Sequence, residues 1–294
     1  MSEAAIKLKG NESFNIREGW LRKGIAAISD DPSAFTQPNA MDTLGVGSKM
    51  VKAIRFWLQA TGLTEEVRGP GKRQQIVTED FGDIIIKNDP YFEEINTLWL
   101  FHLKIVSNIR LCTAWNMFFN NIAFEQFSRS DLVSNMNHFM VKYYGEGSFS
   151  EKLLADDCAS ILNMYCASET ISLDPEENMS SPFAILGLIQ KNGSRNNAMY
   201  ERVQPHPQKL DKMIVLYCVL QVLDEKKKSI SVNDLLNISN GPGKALQLRK
   251  QLLYDYLDSL RNRGFLTINR TAGLDMVYVG DNVNKKAVLM SMYQ

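Results

Sequence analysis

One order of elements recurs near both ends of this chain and constrains its fold more than any other feature. Near the start, Leu44-Gly45-Val46-Gly47 makes a tight turn, and Met50, Val51, Ile54, Trp57 and Leu58 follow at helical spacing. Ser48 stands where an N-cap is expected, and Gly62 where a helix ends on a left-handed residue. Residues 63–67 and 74–78 then flank the tip Arg68-Gly69-Pro70-Gly71-Lys72-Arg73, which predicts a hairpin. Near the end, Ser231 can cap a short helix over 232–236, and Gly241-Pro242-Gly243-Lys244 turns into a helix closing near Gly264. Residues 265–269 and 275–279 flank a second tip at 270–274. Helix, turn, helix, glycine, strand, tip, strand therefore appears twice, as a repeat of pattern and not of sequence. This is the order of a winged helix. The expected fold class is mainly α with small β wings, with two winged-helix-like units flanking a central helical domain.

The rest of the chain sets the boundaries. At 294 residues it is long enough for two domains or three. Residues 1–13 are polar and predict a frayed start; 14–28 predict a helix carrying Arg17, Arg22 and Lys23; 30–40, with Pro32 and Pro38, predict a loop. Asp89-Pro90 reads as an N-cap followed by proline at the first helical position, opening a long apolar helix to about Ala114. Helical patterning continues to about Tyr144 and again from Ser150 to Ser168. Residues 174–181 form a polar, proline-containing break, 182–190 a short helix, and 192–208 the best linker, with Pro205 and Pro207. An apolar helix over 210–223 follows. The expected domains are 1–88, winged-helix-like and DNA-binding; 89–204, helical; and 205–294, winged-helix-like.

Charge and cysteine usage narrow the setting. Lysine plus arginine balances aspartate plus glutamate at 33 each, so any hold on nucleic acid must come from local clustering. Cys112, Cys158, Cys166 and Cys218 form no CxxC pair and lie in apolar-patterned segments. Buried reduced thiols in a reducing compartment are expected, not a zinc site. The first ten residues lack the apolar core of a secretory signal. The apolar run 98–105 is broken by His102 and Lys104, so no segment approaches the roughly 20 apolar residues of a membrane span. A cytoplasmic, non-membrane protein is expected.

One cluster carries chemistry. A winged helix sets its third helix in the major groove and its hairpin against the backbone or minor groove. Here Lys49, Lys52 and Arg55 recur every third residue, hence on one face, and no acidic residue stands between Leu44 and Gln59. The tip adds Arg68, Lys72 and Arg73. With Ser48, Arg17 and Lys23, these residues form the candidate surface for double-stranded DNA. Such contacts position a protein on phosphates without reading sequence. The plainer alternative is a solvated helix face beside an ordinary basic loop. The C-terminal unit mixes Arg249, Lys250, Arg261 and Arg263 with Asp255 and Asp258, and a packing or protein-contact role is expected there.

Catalytic signals are weak. Gly45-Val46-Gly47-Ser48-Lys49 lacks the third glycine of a dinucleotide fingerprint, and the Lys244 turn has Ile238 where a phosphate loop needs glycine. Asp80, Asp83, Asp89, Glu93 and Glu94 are candidates for a metal site that would cut a phosphodiester with Mg or Mn. Asp89 and Glu93 can share a helix face, but at about 100° per residue His102 points to the opposite side. Asp89, Glu93 and His102 are therefore weak catalytic candidates. The alternative makes Asp89 a cap, the glutamates partners of the helix dipole, and His102 a satisfied core histidine.

These motifs also resemble a known family. They are Phe14-Asn15-Ile16-Arg17-Glu18-Gly19-Trp20-Leu21-Arg22-Lys23-Gly24, the run from Leu44 to Leu58, Asp89-Pro90-Tyr91 with Glu93 and Thr97-Leu98-Trp99-Leu100-Phe101-His102, and the Gly241-Pro242-Gly243-Lys244 and Thr271-Ala272-Gly273-Leu274 turns. Together they resemble a bacterial family of unknown function encoded beside phosphoadenosine-phosphosulfate-reductase-like genes and tied to SspB, the component assigned nicking activity in single-strand DNA phosphorothioation defence systems. The resemblance covers nearly the whole chain. It implies a protein that engages DNA so that sulfur can replace a non-bridging phosphate oxygen. Its partners would be those of a sulfur-transfer modification complex: a cysteine desulfurase, an ATP pyrophosphatase and an ATPase. It carries over no catalytic residues, and the chain shows no recognisable nuclease signature. The cationic contacts it implies are Arg17, Lys23, Lys49, Lys52 and Arg55.

Overall fold

The computed structural model describes residues 6–69, 71–166, 181–193, 197–223, 228–271 and 274–294. The frayed start at 1–5, Pro70 of the first tip, the helix end at 167–168, residues 174–180 of the polar break, and Ala272 and Gly273 of the second tip lie outside the described residues.

The first unit contains α1 (Trp20–Asp30), α2 (Ala40–Leu44) and α3 (Ser48–Ala60), then β1 (Thr64–Arg68) and β2 (Arg73–Val77). The sequence pattern starts α1 at Phe14, but Gly19 is left-handed (φ 76°) and delays the helix to Trp20. In α3 the N-cap is Gly47, in extended conformation; Ser48 is already helical and makes no capping bond. This corrects the expected role of Ser48. Gly62 does end the helix in the left-handed region (φ 76°). The hairpin forms as expected, antiparallel, with Thr64 opposite Val77 and Arg68 opposite Arg73.

Gly24 sets how closely α1 approaches α3. A Cβ there would lie 2.6 Å from Leu58 Cδ1 and 2.8 Å from Ile54 Cγ2. The missing side chain lets the two helices pack backbone to side chain and holds α3 in place.

The middle of the chain departs from expectation. A short α4 (Gly82–Asn88) precedes Asp89, and the long helix is two: α5 (Ile95–Ser107) and α6 (Thr113–Asn121). Pro90 does not open α5. Phe92 is left-handed (φ 59°), and the Asp89 carboxylate accepts the backbone N–H groups of Glu93 and Glu94, both at 3.1 Å. The break between α5 and α6 is stabilised by Asn108 Oδ1, which accepts the Leu111 N–H at 3.1 Å.

After β3 (Gln126–Ser128) come α7 (Arg129–Tyr144) and α8 (Glu151–Tyr165), then β4 (Ile189–Asn192) and β5 (Met199–Arg202). These strands form a sheet in the order β3-β5-β4, so the middle is not purely helical. The expected short helix is a 3₁₀ turn, Pro182–Leu186, that leads into β4. The expected linker holds the central strand of this sheet. Its half-buried Arg202 guanidinium donates to the carbonyls of Phe118 (3.5 Å), Phe119 (3.4 Å) and Ile122 at the end of α6, and to Gln247 Oε1 (2.5 Å). A cation that satisfies a helix C-terminus ties this segment down.

The last part contains α9 (Lys212–Val222), β6 (Ser229–Ser231), α10 (Val232–Asn237), α11 (Pro242–Ala245), α12 (Lys250–Asn262), β7 (Leu266–Thr271), β8 (Leu274–Val279) and α13 (Lys285–Ser291). Ser231 caps α10 as expected, accepting the Asp234 N–H at 2.9 Å. The expected helix to Gly264 is interrupted after one turn, where Gln247 is left-handed (φ 53°), and α12 carries it on. The sheet order is β6-β8-β7. In the middle and at the end alike, a strand, three helical segments and a hairpin follow one another. In both, the first strand pairs with the last.

One continuous hydrophobic core spans all three parts. Trp57 of α3 meets Trp115 of α6 edge to face, with ring centroids 5.5 Å apart. The segment before α1 ties to α8, with the Lys9 N–H shared between both Asp157 oxygens (3.1 and 3.0 Å) and Lys9 Nζ on Asp156 at 2.8 Å. Among the described residues, no helix is long and apolar enough to cross a membrane.

Candidate nucleic-acid interface

The helical period divides α3 cleanly. Val51, Ile54, Trp57 and Leu58 are buried against the core. Ser48, Lys49 and Lys52 are exposed, and Arg55 is half-buried on the same outer side. Beside them Arg68, Lys72 and Arg73 are exposed around the hairpin tip.

A carboxylate joins the two elements. Glu66 lies on the same strand face as buried Thr64 and so turns toward α3. Its Oε1 accepts Arg55 Nε at 2.7 Å and Gln59 Nε2 at 3.0 Å, and lies 2.6 Å from Arg55 Nη2. Its Oε2 lies 3.7 Å from Arg73 Nη1. Glu66 thus holds helix and hairpin in one arrangement and offsets part of their charge. It stands beyond the acid-free run that ends at Gln59, and strand alternation is the sequence signal that points it at the helix.

The other candidates differ in how free they are. Lys52 Nζ is 3.8 Å from Glu12, an exposed and weak pairing. Lys72 Nζ donates to Gln37 Oε1 at 2.7 Å. Lys23, Lys49 and Arg68 are exposed and have no ion pair among the described residues. Arg17 lies apart, its guanidinium 5.4 Å from the Trp20 ring. The structure therefore joins α3 to the hairpin, while Arg17 stands before α1 beside Trp20.

The weak catalytic candidates are not brought together. His102 is fully buried; its Nε2 is 2.7 Å from the Ala245 carbonyl, which can only accept, so Nδ1 accepts from the Tyr165 hydroxyl at 2.7 Å. Burial lowers its pKa to about 4, against the opposing pull of that carbonyl. Asp89 is buried and both its oxygens serve backbone N–H groups, while Glu93 is exposed. The core-histidine reading describes His102, whereas Asp89 does not cap a helix: it holds the turn before α5, whose N-cap is Glu94, by accepting the Glu93 and Glu94 N–H groups. All four cysteines are free and buried. Burial pushes the Cys158 thiol up to about 12 and Cys166 to about 11.

A mainly helical protein with small antiparallel sheets, presenting a basic helix beside a hairpin, is the class that fold and surface define. The chain belongs to the DUF4007 family of proteins of unknown function, which it matches over residues 8–293. No curated protein matches it. Two solved structures are similar over 99% of its length. A magnesium ion-bound SspB has a TM-score of 0.86 and 27% identity, with 89% of that chain covered. A second SspB crystal structure has a TM-score of 0.83 and 25% identity, with 87% covered. Among the described residues of this chain, no three His, Cys, Asp or Glu side chains group so as to hold a metal.

Proposed function

We propose that this chain engages double-stranded DNA as a component of a bacterial phosphorothioate modification system with a defence role, in the manner its likeness to SspB suggests. In this reading the first unit is a winged helix, with α3 as its groove-facing helix and the β1–β2 hairpin as its wing. The observation that carries it is the exposed face Ser48, Lys49, Lys52, continued by Arg68, Lys72 and Arg73 on the adjoining hairpin. Partners in a sulfur-transfer complex belong to the same proposal, as does a cytoplasmic setting, which suits four unpaired buried thiols.

The role of nicking one strand is the enzymatic form of this reading; a winged-helix regulator or adaptor is the other. The engagement of Asp89 and the burial of His102 favour the adaptor. A supercoiled plasmid incubated with the full chain, with and without Mg²⁺ or Mn²⁺, separates the two.

DNA engagement is tested by gel retardation across a salt series with Lys49→Glu/Lys52→Glu. Arg55 is left intact, because a glutamate beside Glu66 would destabilise the joint between helix and hairpin. The log–log salt slope should fall by about 0.9 for each phosphate that the variant no longer neutralises, with the melting temperature nearly unchanged. Unaltered retardation by the double variant would remove α3 from the interface.

A further inference from the structure

A second surface lies at the N-terminal end of α1. A mostly apolar cavity of about 340 Å³ opens between the start of α1, the turn after Asp89 and the 3₁₀ turn at Pro182–Leu186. Such a volume is within the roughly 300–1,000 Å³ of small-ligand sites. Phe92, Phe101 and Phe183 are buried in its walls. Tyr91 and Ile185 stand at its mouth, each about half exposed, at 53% and 49%.

The mouth is polar in a particular way. The Arg22 guanidinium stacks over the Tyr91 ring, 4.4 Å from its centroid, and Arg17 lines the opening. Glu18 and Glu93 place exposed carboxylates on the rim. Aromatic walls accept a flat π-system, guanidinium groups meet phosphate, and carboxylates accept from exocyclic amino groups. One class of ligand combines these three demands: a nucleotide out of its stack.

We propose that this cavity takes up one unstacked nucleobase of the DNA strand, an amino-bearing base in preference to thymine. This rests on the DNA-engaging reading above and deepens it. α1 couples the two surfaces, since Leu21 lines the cavity while Gly24 packs on α3. Duplex held at α3 and an extruded base held in the cavity would be read by one rigid helix. Extrusion costs unstacking, so a base already out of the stack binds best.

The test compares three labelled duplexes with the full-length chain. One carries a single extrahelical adenine, one an abasic residue in the same place, and one is fully paired. The abasic duplex keeps the bend and flexibility of the bulge and lacks only the base. Adenine should bind about tenfold tighter than the abasic form, the size expected for one stacked base. A fourth duplex, with extrahelical thymine in the same place, should bind more weakly than the adenine form. Tyr91→Ala and Ile185→Arg, both at exposed positions, should bring the adenine-to-abasic ratio close to one and leave paired-duplex binding unchanged. Lys49→Glu/Lys52→Glu should weaken all three duplexes and leave the ratio intact. Equal binding of adenine and abasic duplexes by the unaltered chain overturns the cavity proposal and spares the α3 interface. A ratio unmoved by Ile185→Arg overturns it also. If no duplex is retained at low salt, both readings fall together.

Discussion

Glu66 allows stability and DNA affinity to be moved in opposite directions by one substitution. Its carboxylate meets two nitrogens of Arg55, at 2.6 and 2.7 Å, and stands 3.7 Å from Arg73. The Arg55 and Glu66 side chains are each 25% exposed, so solvent screens the pair only in part. Glu66→Gln keeps the shape and removes the charge. Losing charge-assisted bonds at a partly exposed pair costs about 1–2 kcal/mol, a melting decrease of a few degrees for a chain of this size. The same change releases positive charge on Arg55 and Arg73 toward bound phosphate. Each phosphate newly neutralised steepens the salt slope by about 0.9, or about threefold in affinity between 50 and 200 mM salt. Calorimetry with gel retardation at several salt concentrations measures both. Lower melting with tighter low-salt binding and a steeper slope is the expected pair of results. An unchanged or shallower slope would show that Arg55 and Arg73 do not face the nucleic acid, and the interface would be refuted.

Three further perturbations follow from buried groups. His102→Phe should cost about 2–4 kcal/mol in denaturant unfolding, because it strands the Tyr165 hydroxyl and the Ala245 carbonyl in the core; a folded, inactive variant with normal stability would instead mark the histidine as catalytic. Burial raises the Asp157 pKa to about 7 from an unfolded value near 3.8, so the native state holds the extra proton between those values and the stability due to Asp157 is lost as pH rises from about 4 to 7. His102 acts in the opposite sense, its depressed pKa withdrawing stability as pH falls below about 6.5. Asp157→Asn should therefore raise the melting temperature at pH 8 more than at pH 5, and an equal effect at both would contradict the burial argument. Thiol titration of the native chain with a water-soluble disulfide should label none of the four cysteines until denaturant is added, since all are buried and burial disfavours their thiolates.

Local rules served well where chain neighbours decide the outcome. The apolar stripe of α3, the glycine that ends it, the hairpin around residues 68–73 and the Ser231 cap all follow from spacing and turn chemistry, and all are present. They fail where distant partners decide. Residues 192–208 look like a linker because two prolines and polar residues dominate, yet β5 pairs with both β3 and β4, and Arg202 donates to the carbonyls at the end of α6. β3 is only three residues long, too short for alternation to announce it. Asp89-Pro90 carries the letters of a helix start, but left-handed Phe92 moves that start to Ile95. The candidate surface shows the same division: the basic face of α3 is periodic and legible, whereas its pairing with Glu66 depends on strand and helix meeting in space.

The three parts of the chain can be compared at one position, the helix that precedes each hairpin. In α3 the charged residues are Lys49, Lys52 and Arg55, with no acid. In α8 they are Glu151, Lys152, Asp156 and Asp157, and Lys9 of the N-terminal segment covers the last two. In α12 they are Lys250, Asp255, Asp258 and Arg261, and Asp258 is paired with both Arg261 (2.9 Å) and Arg270 of the hairpin (3.3 Å). A helix that is to lie along phosphates must present an excess of positive charge, and of these three only α3 carries cations with no acid of its own. The second is occupied by the chain's own N-terminal segment. The third has its hairpin arginine paired with an aspartate at the surface. With zero net charge over the whole chain, any hold on DNA would rest on the local placement of these cations and not on the charge of the chain.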